Sequence, residues 1–379
     1  MTNNTKILHS GRNPFDHHNT INPPIYASSS LVFKTLKEID EAYTAYGRHG
    51  TQTSRYLEDL IKVIENGSEA MLFPSGLSAI TTSILGCVSA GEHILLPDLA
   101  YGPTRIFATK FLEKLNIEYD FYPSGLRSKI AEYIKPNTKA VFMESPVSQT
   151  FEIDEIDVMI ATCKEHNIAS IFDNTYCGGY FFKPLDHGVD VVIQSCSKFF
   201  SGHSDVIMGC MVTNSEKYYN KIKNHYKYLG LHVSPRDCYL VQRGIRTLNI
   251  RLKQHYANSL VVAKWLEEQP MVAEVLYPAL ESSPYHERFK KYFTGASGLF
   301  SFYFKPDISR EQAINFVEAL KYFHIGFGWG GYESLVMFFK EIRSDAVDNP
   351  NQYLVRLFIG LEEPEDLIED LSQAMEKTL

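Results

Sequence analysis

Asp173 closes an apolar run, IASIFD, and Lys198 follows a second one, VDVVIQ, across a short serine-rich turn. A carboxylate and an amine placed this way suit a flat heterocycle that must be engaged from opposite sides. Pyridoxal phosphate (PLP) is such a ring: a lysine holds its aldehyde and an acid faces its ring nitrogen. The flanking Ser195 and Ser197 offer hydroxyls to a phosphate, and Gly202, His203 and Gly209 add tight turns after the lysine. An apolar run ending in Asp with a Lys downstream also arises by chance in many α/β proteins, so the pair alone is a weak motif.

The elements that must position these residues are short apolar strands alternating with longer helical segments. AMLF, HILLP, IEYDFY and KAVFME read as strands; SRYLEDLIKVIEN, YGPTRIFATKFLEKLN, LRSKIAEYI and the stretch 154–166 read as helices. That alternation implies a mostly parallel sheet covered on both faces. Residues 1–50, rich in Pro, Asn and Ser, read as an extended arm seeking a partner subunit. Residues 51–245 read as a large domain, and residues 246–379 as a smaller α+β domain packed on it. A chain of 379 residues is long enough for two domains.

Composition narrows the function classes. With 44% hydrophobic and 22% charged residues, the chain reads as globular, and a formal charge of −8 argues against a nucleic-acid surface. No apolar stretch reaches the ~18–20 residues needed to cross a bilayer, and the polar N-terminus lacks a signal-peptide core. Six scattered cysteines without a C-x-x-C pair fit a reducing, cytoplasmic setting. The histidines show no metal-binding spacing, and His203 with Asp205 is too small a set, so no metal is expected.

The segment DNTY…KPLDHGVDVVIQSCSKFFSGHSDVIMG resembles the signature of the Cys/Met-metabolism PLP-dependent enzymes, most closely the bacterial carbon–sulfur β-lyase branch that acts on cystathionine, and the likeness runs over nearly the whole chain. The resemblance implies the PLP-dependent, aspartate-aminotransferase-like fold (fold type I) with a seven-stranded sheet. It also implies a PLP cofactor, a small amino-acid substrate, and a homo-oligomer, expected as a tetramer. The implied reaction cleaves L-cystathionine to homocysteine, pyruvate and ammonia, within methionine biosynthesis.

Further candidates take their roles from this likeness, each beside a plainer reading. Tyr46 and Arg48, in the Gly-flanked YGRHGTQT, suit anion recognition or form a solvated turn. The resemblance makes them ligands of the neighbouring subunit's cofactor phosphate. Ser75-Gly76 starts a helix whose Gly76 and Leu77 amides are free for phosphate, although most such turns bind nothing; Leu77 stands where the family has Met. Tyr101 opens a helix near a strand's carboxyl end, as a core cap or, by resemblance, stacked on the pyridine ring. Arg356 lies within an apolar strand and needs an anion, either a structural ion pair or the substrate α-carboxylate. Many relatives have Ser where this chain has Gly328, before Trp329, in the carboxylate-binding turn. Ser148 and Gln149 stand near the place where γ-acting members carry Asn, a lean toward β-elimination. The arginines of SPRDCYLVQRGIRTLNIRLKQH are expected in interdomain and intersubunit ion pairs. A γ-acting or altered-substrate lyase, and a non-catalytic PLP-binding protein, are the competing functions.

Overall fold

The computed structural model describes residues 3–42, 44–125, 129–339 and 353–378. Seven strands build the larger sheet: β1 (Glu69–Phe73), β2 (His93–Pro97), β3 (Glu118–Tyr122), β4 (Thr138–Glu144), β5 (Ala169–Asp173), β6 (Val191–Ser195) and β7 (Gly209–Thr213). Their order is β1-β7-β6-β5-β4-β2-β3, with β7 antiparallel to both its neighbours and the other pairs parallel.

Alternation along each strand decides which core a side chain joins. Val141 and Met143 of β4 pack with Leu57, Leu60 and Ile64 of the helix Gln52–Glu65. Ala140 and Phe142 pack on the opposite face with Ile80 and Ile84 of the helix Gly76–Cys87. Successive residues of a strand point to opposite faces, so a strand covered on both sides must be apolar throughout. KAVFME is such a run.

A second, mostly antiparallel sheet contains β8 (Val272–Leu276), β9 (Leu299–Phe304), β10 (His324–Ile325), β11 (Leu335–Phe339) and β12 (Leu354–Phe358), in the order β10-β11-β12-β9-β8. Phe300, Phe302, Val355 and Leu357 extend the first core cluster into this sheet, so no gap separates the two.

Three local expectations change. The arm is not wholly extended: Asn3–His9 and Leu36–Glu41 are helical. The C-terminal end of its first helix is tied to its own chain, with Arg246 donating to the carbonyls of Ile7, Leu8 and Ser10. The helix expected over 126–134 begins in residues outside those described, and its described part is a single 3-10 turn, Ile130–Tyr133. Of the arginines expected in ion pairs, Arg246 and Arg251 instead donate to backbone carbonyls; none of Arg236, Arg243, Arg246 or Arg251 forms a salt bridge among the described residues. Their neighbours are carbonyl-rich helix and turn ends, which accept from a guanidinium as well as a carboxylate can.

Candidate active site

The parallel strands β4, β5 and β6 end side by side, and a cavity of about 560 Å³ opens at their carboxyl ends. Gly76, Leu77, Tyr101, Asp173, Ser195, Ser197, Lys198, Gly328, Trp329 and Arg356 all line it. Residues widely separated in sequence thus meet at the sheet edge where ligands gather in open α/β folds.

Asp173 is the last residue of β5. Its Oδ1 accepts from the Thr175 N–H at 3.0 Å and the Thr175 hydroxyl at 2.5 Å. Oδ2 carries no hydrogen bond among the described residues and belongs to a cavity-lining side chain. Burial pushes this carboxyl up, while the Thr175 bonds and Lys198 pull it back. A cationic donor in the cavity would complete it.

Lys198 sits on the turn after β6, its Nζ 5.2 Å from the centre of the Trp329 ring. Burial and the nearby Arg356 charge bring its ammonium down to about 8, against the opposing pull of Asp173. The turn is held from below by Arg251, which donates to the Phe199 and Gly244 carbonyls at 2.8 Å. From above, Gly330 packs on the lysine backbone. Its φ is +86°, and a Cβ there would lie 2.9 Å from Lys198 Cα, so the glycine is required on two counts.

The helix Gly76–Cys87 points its N-terminus at the cavity. Ser75 and Ser78 form a reciprocal capping box, each hydroxyl 3.0 Å from the other's N–H. The Gly76 and Leu77 amides are left for another acceptor. A Cβ on Gly76 would fall 2.8 Å from Ser195 Oγ, filling the cradle between them. Ser197 directs both its N–H and its hydroxyl to the Met208 carbonyl.

Arg356 projects from β12. One terminal nitrogen donates to the Phe327 carbonyl at 2.9 Å, and the group stacks 5.5 Å from the Phe339 ring centre. No salt bridge joins it among the described residues, and burial lowers it to about 10. Its remaining N–H groups have no anionic partner among the described residues. Beside it, a Cβ on Gly328 would meet only Leu335 Cδ1, at 3.8 Å, so space rather than crowding surrounds the absent hydroxyl.

Two further polar residues line the cavity without having been singled out from the sequence. Thr175 links Asp173 to Ser195, whose N–H it accepts at 2.8 Å. Glu144, at the end of β4, accepts the Tyr101 and Ser148 amides, and burial followed by Asp173 raises it to about 7. The ESPV and DNTY segments contain both residues, but nothing local says where their side chains aim. Tyr46 and Arg48 do not line the cavity. They stack on each other at 5.5 Å in a loop pinned to residues 28–30, with Tyr46 45% exposed.

A model of the family described as Cys/Met metabolism PLP-dependent enzyme matches residues 4–376. The chain belongs to this family. Among curated relatives, it is 38% identical to a cystathionine β-lyase of Haemophilus influenzae (98% of each chain covered). It is 37% identical to a cystathionine β-lyase of Escherichia coli (97% of this chain, 96% of that one). It is also 37% identical to an L-alanine/L-glutamate racemase of Wolbachia pipientis (99% and 97%).

Its cofactor is therefore pyridoxal 5′-phosphate, and the donor set fits that group. The open cradle of Gly76, Leu77 and Ser195 suits a phosphate at a helix N-terminus. The Oδ2 of Asp173, without a hydrogen bond among the described residues, suits a protonated ring nitrogen, and Lys198 is an amine of lowered basicity within the same cavity.

Proposed function

We propose that this PLP-dependent enzyme is a carbon–sulfur β-lyase that cleaves L-cystathionine to homocysteine, pyruvate and ammonia. One observation carries the reading: an amine, an acid and a guanidinium with no carboxylate partner among the described residues share one cavity. Bare storage of the cofactor would not require the third. The names of the H. influenzae and E. coli relatives support the substrate assignment.

When bound, PLP supplies an electron sink that makes the substrate Cα proton acidic and lets a group depart from Cβ. Gly76, Leu77 and Ser195 would hold the phosphate, and Ser197 could add its hydroxyl in place of the bond to Met208. Asp173, whose Oδ1 is held by Thr175, would accept the ring N–H through Oδ2 and keep the proton there. Tyr101, which lines the same cavity, would lie against the ring. Arg356 grips the substrate carboxylate as a planar fork, next to Gly328 and Trp329. So oriented, the Cα proton faces Lys198, whose neutral amine removes it and returns a proton to the departing sulfur. The remaining three-carbon fragment is hydrolysed to pyruvate and ammonia.

Tyr46 and Arg48 complete a neighbouring subunit's phosphate site, which requires at least two subunits; the family resemblance favours a tetramer built as a dimer of dimers. Phe15, Val32 and Leu36 on the same arm are 85%, 95% and 82% exposed, an apolar surface suited to a second copy. No described helix is long and apolar enough to cross a membrane. Six buried, unpaired cysteines favour a reducing cytoplasm.

The test is product analysis with purified enzyme and L-cystathionine. Pyruvate supports β-elimination, and its absence defeats the proposal. Release of 2-oxobutyrate would instead identify the γ-acting alternative. Inversion of an intact amino acid would favour racemisation, the reading motivated by the Wolbachia relative.

A further inference from the structure

One part of the cavity wall comes from two separate connections. One is the Tyr101 turn after β2; the other is the 145–151 loop after β4. The loop is strained: Gln149 and Phe151 have φ of 73° and 57°, in the left-handed region that non-glycine residues rarely occupy. Such a loop keeps its shape only where its surroundings pin it. Internal bonds from Val147 to Glu152 and from Phe151 to Val147 close it on itself. They do not fix its position against the Tyr101 turn.

Glu144 does. Its Oε2 accepts the Tyr101 N–H at 2.8 Å, and its Oε1 accepts the Ser148 N–H at 2.9 Å. A carboxylate can accept at both oxygens, whereas a glutamine must present an N–H₂ to one of them. The placement is electrostatically costly, because Glu144 pairs in register with Asp173 on the adjacent strand and desolvation penalises both charges. A side chain serving only to fill space would avoid that cost.

We propose that Glu144 is a positioning residue that joins the Tyr101 turn to the 145–151 loop and so holds both against the cofactor. This rests on the placement of Tyr101 against the PLP ring. Ser148 and Gln149, on the clamped loop, then form a fixed wall for the part of the substrate beyond Cβ.

The experiment compares Glu144→Gln and Tyr101→Ala with wild-type holoenzyme. It reads the circular dichroism induced in the bound PLP and the PLP dissociation constant after reconstitution of apoenzyme. Well below the melting temperature, a merely structural loss of stability moves neither. Glu144→Gln should weaken PLP binding about tenfold or more, as expected for an unpaired buried donor, and should alter the induced signal. If Glu144→Gln does not accumulate as folded protein, Glu144→Asp carries the same expectation, because it withdraws the carboxylate from both amides. Wild-type affinity and signal in the glutamate variant, beside a changed signal in Tyr101→Ala, would overturn the proposal. An unchanged signal in Tyr101→Ala would overturn the placement of Tyr101 on which it rests.

Discussion

Replacing Arg356 by lysine keeps a positive charge on β12 but removes the planar fork. In the free cavity one guanidinium nitrogen is engaged with the Phe327 carbonyl, and no carboxylate of the described residues pairs with the group. The remaining N–H donors can make two charge-assisted hydrogen bonds to a substrate carboxylate, each worth about 1.5–3 kcal/mol. Lysine offers a single compact donor and cannot span both oxygens. Losing one such bond should reduce kcat/KM by roughly 10- to 150-fold. Most of that loss should appear in KM, because the carboxylate is held alike before and during the reaction. PLP affinity should be unchanged, since Arg356 faces the substrate and not the phosphate cradle. Steady-state kinetics for 2-oxo acid release, with a PLP titration of apoenzyme beside it, measures both quantities. If KM stays within about threefold of wild type while the melting temperature drops, the arginine is a structural element and the clamp argument fails.

The other predictions address the cofactor and the subunit contact. Asp173→Asn preserves the acceptor for Thr175 but loses the charge facing the ring nitrogen; kcat should fall by about 100-fold or more, the effect of a lost buried charge pair, and undiminished turnover would refute the role. Lys198 is lowered to about 8 by burial and Arg356, and only its neutral form attacks an aldehyde. The rate at which apoenzyme captures PLP should therefore climb with pH and level off above about 8; stopped-flow traces showing no pH dependence there would contradict the assignment. Mixing Arg48→Ala with Lys198→Ala subunits, each inactive alone, should restore about a quarter of the wild-type sites if the arm acts across a two-fold interface. No recovery after verified subunit exchange would place Arg48 outside the site.

Much of the architecture was legible because it rests on local patterns. The interiors of KAVFME and IASIFD are largely apolar, as strands buried on both faces must be, with Glu144 and Asp173 only at the carboxyl ends. The Ser75-Gly76 step marks a helix start by capping chemistry alone. Other features depend on partners far away in the chain. Glu144 and Thr175 are ordinary residues in ESPV and DNTY, and their importance comes from amides and carboxylates delivered by other connections. The same holds for Arg246 and Arg251, which sequence spacing alone suggested as ion-pair partners and which in fact close off carbonyls. The helices at Asn3–His9 and Leu36–Glu41 are too short for a clear periodic signal.

The account centres on the amine of Lys198 as the attachment point of the cofactor. Borohydride reduction of the holoenzyme, followed by proteolysis and mass spectrometry, locates that bond directly. The account predicts one pyridoxyl-phosphate adduct, on the peptide bearing Lys198, absent from Lys198→Ala. An adduct on another lysine in the wild-type protein would contradict it.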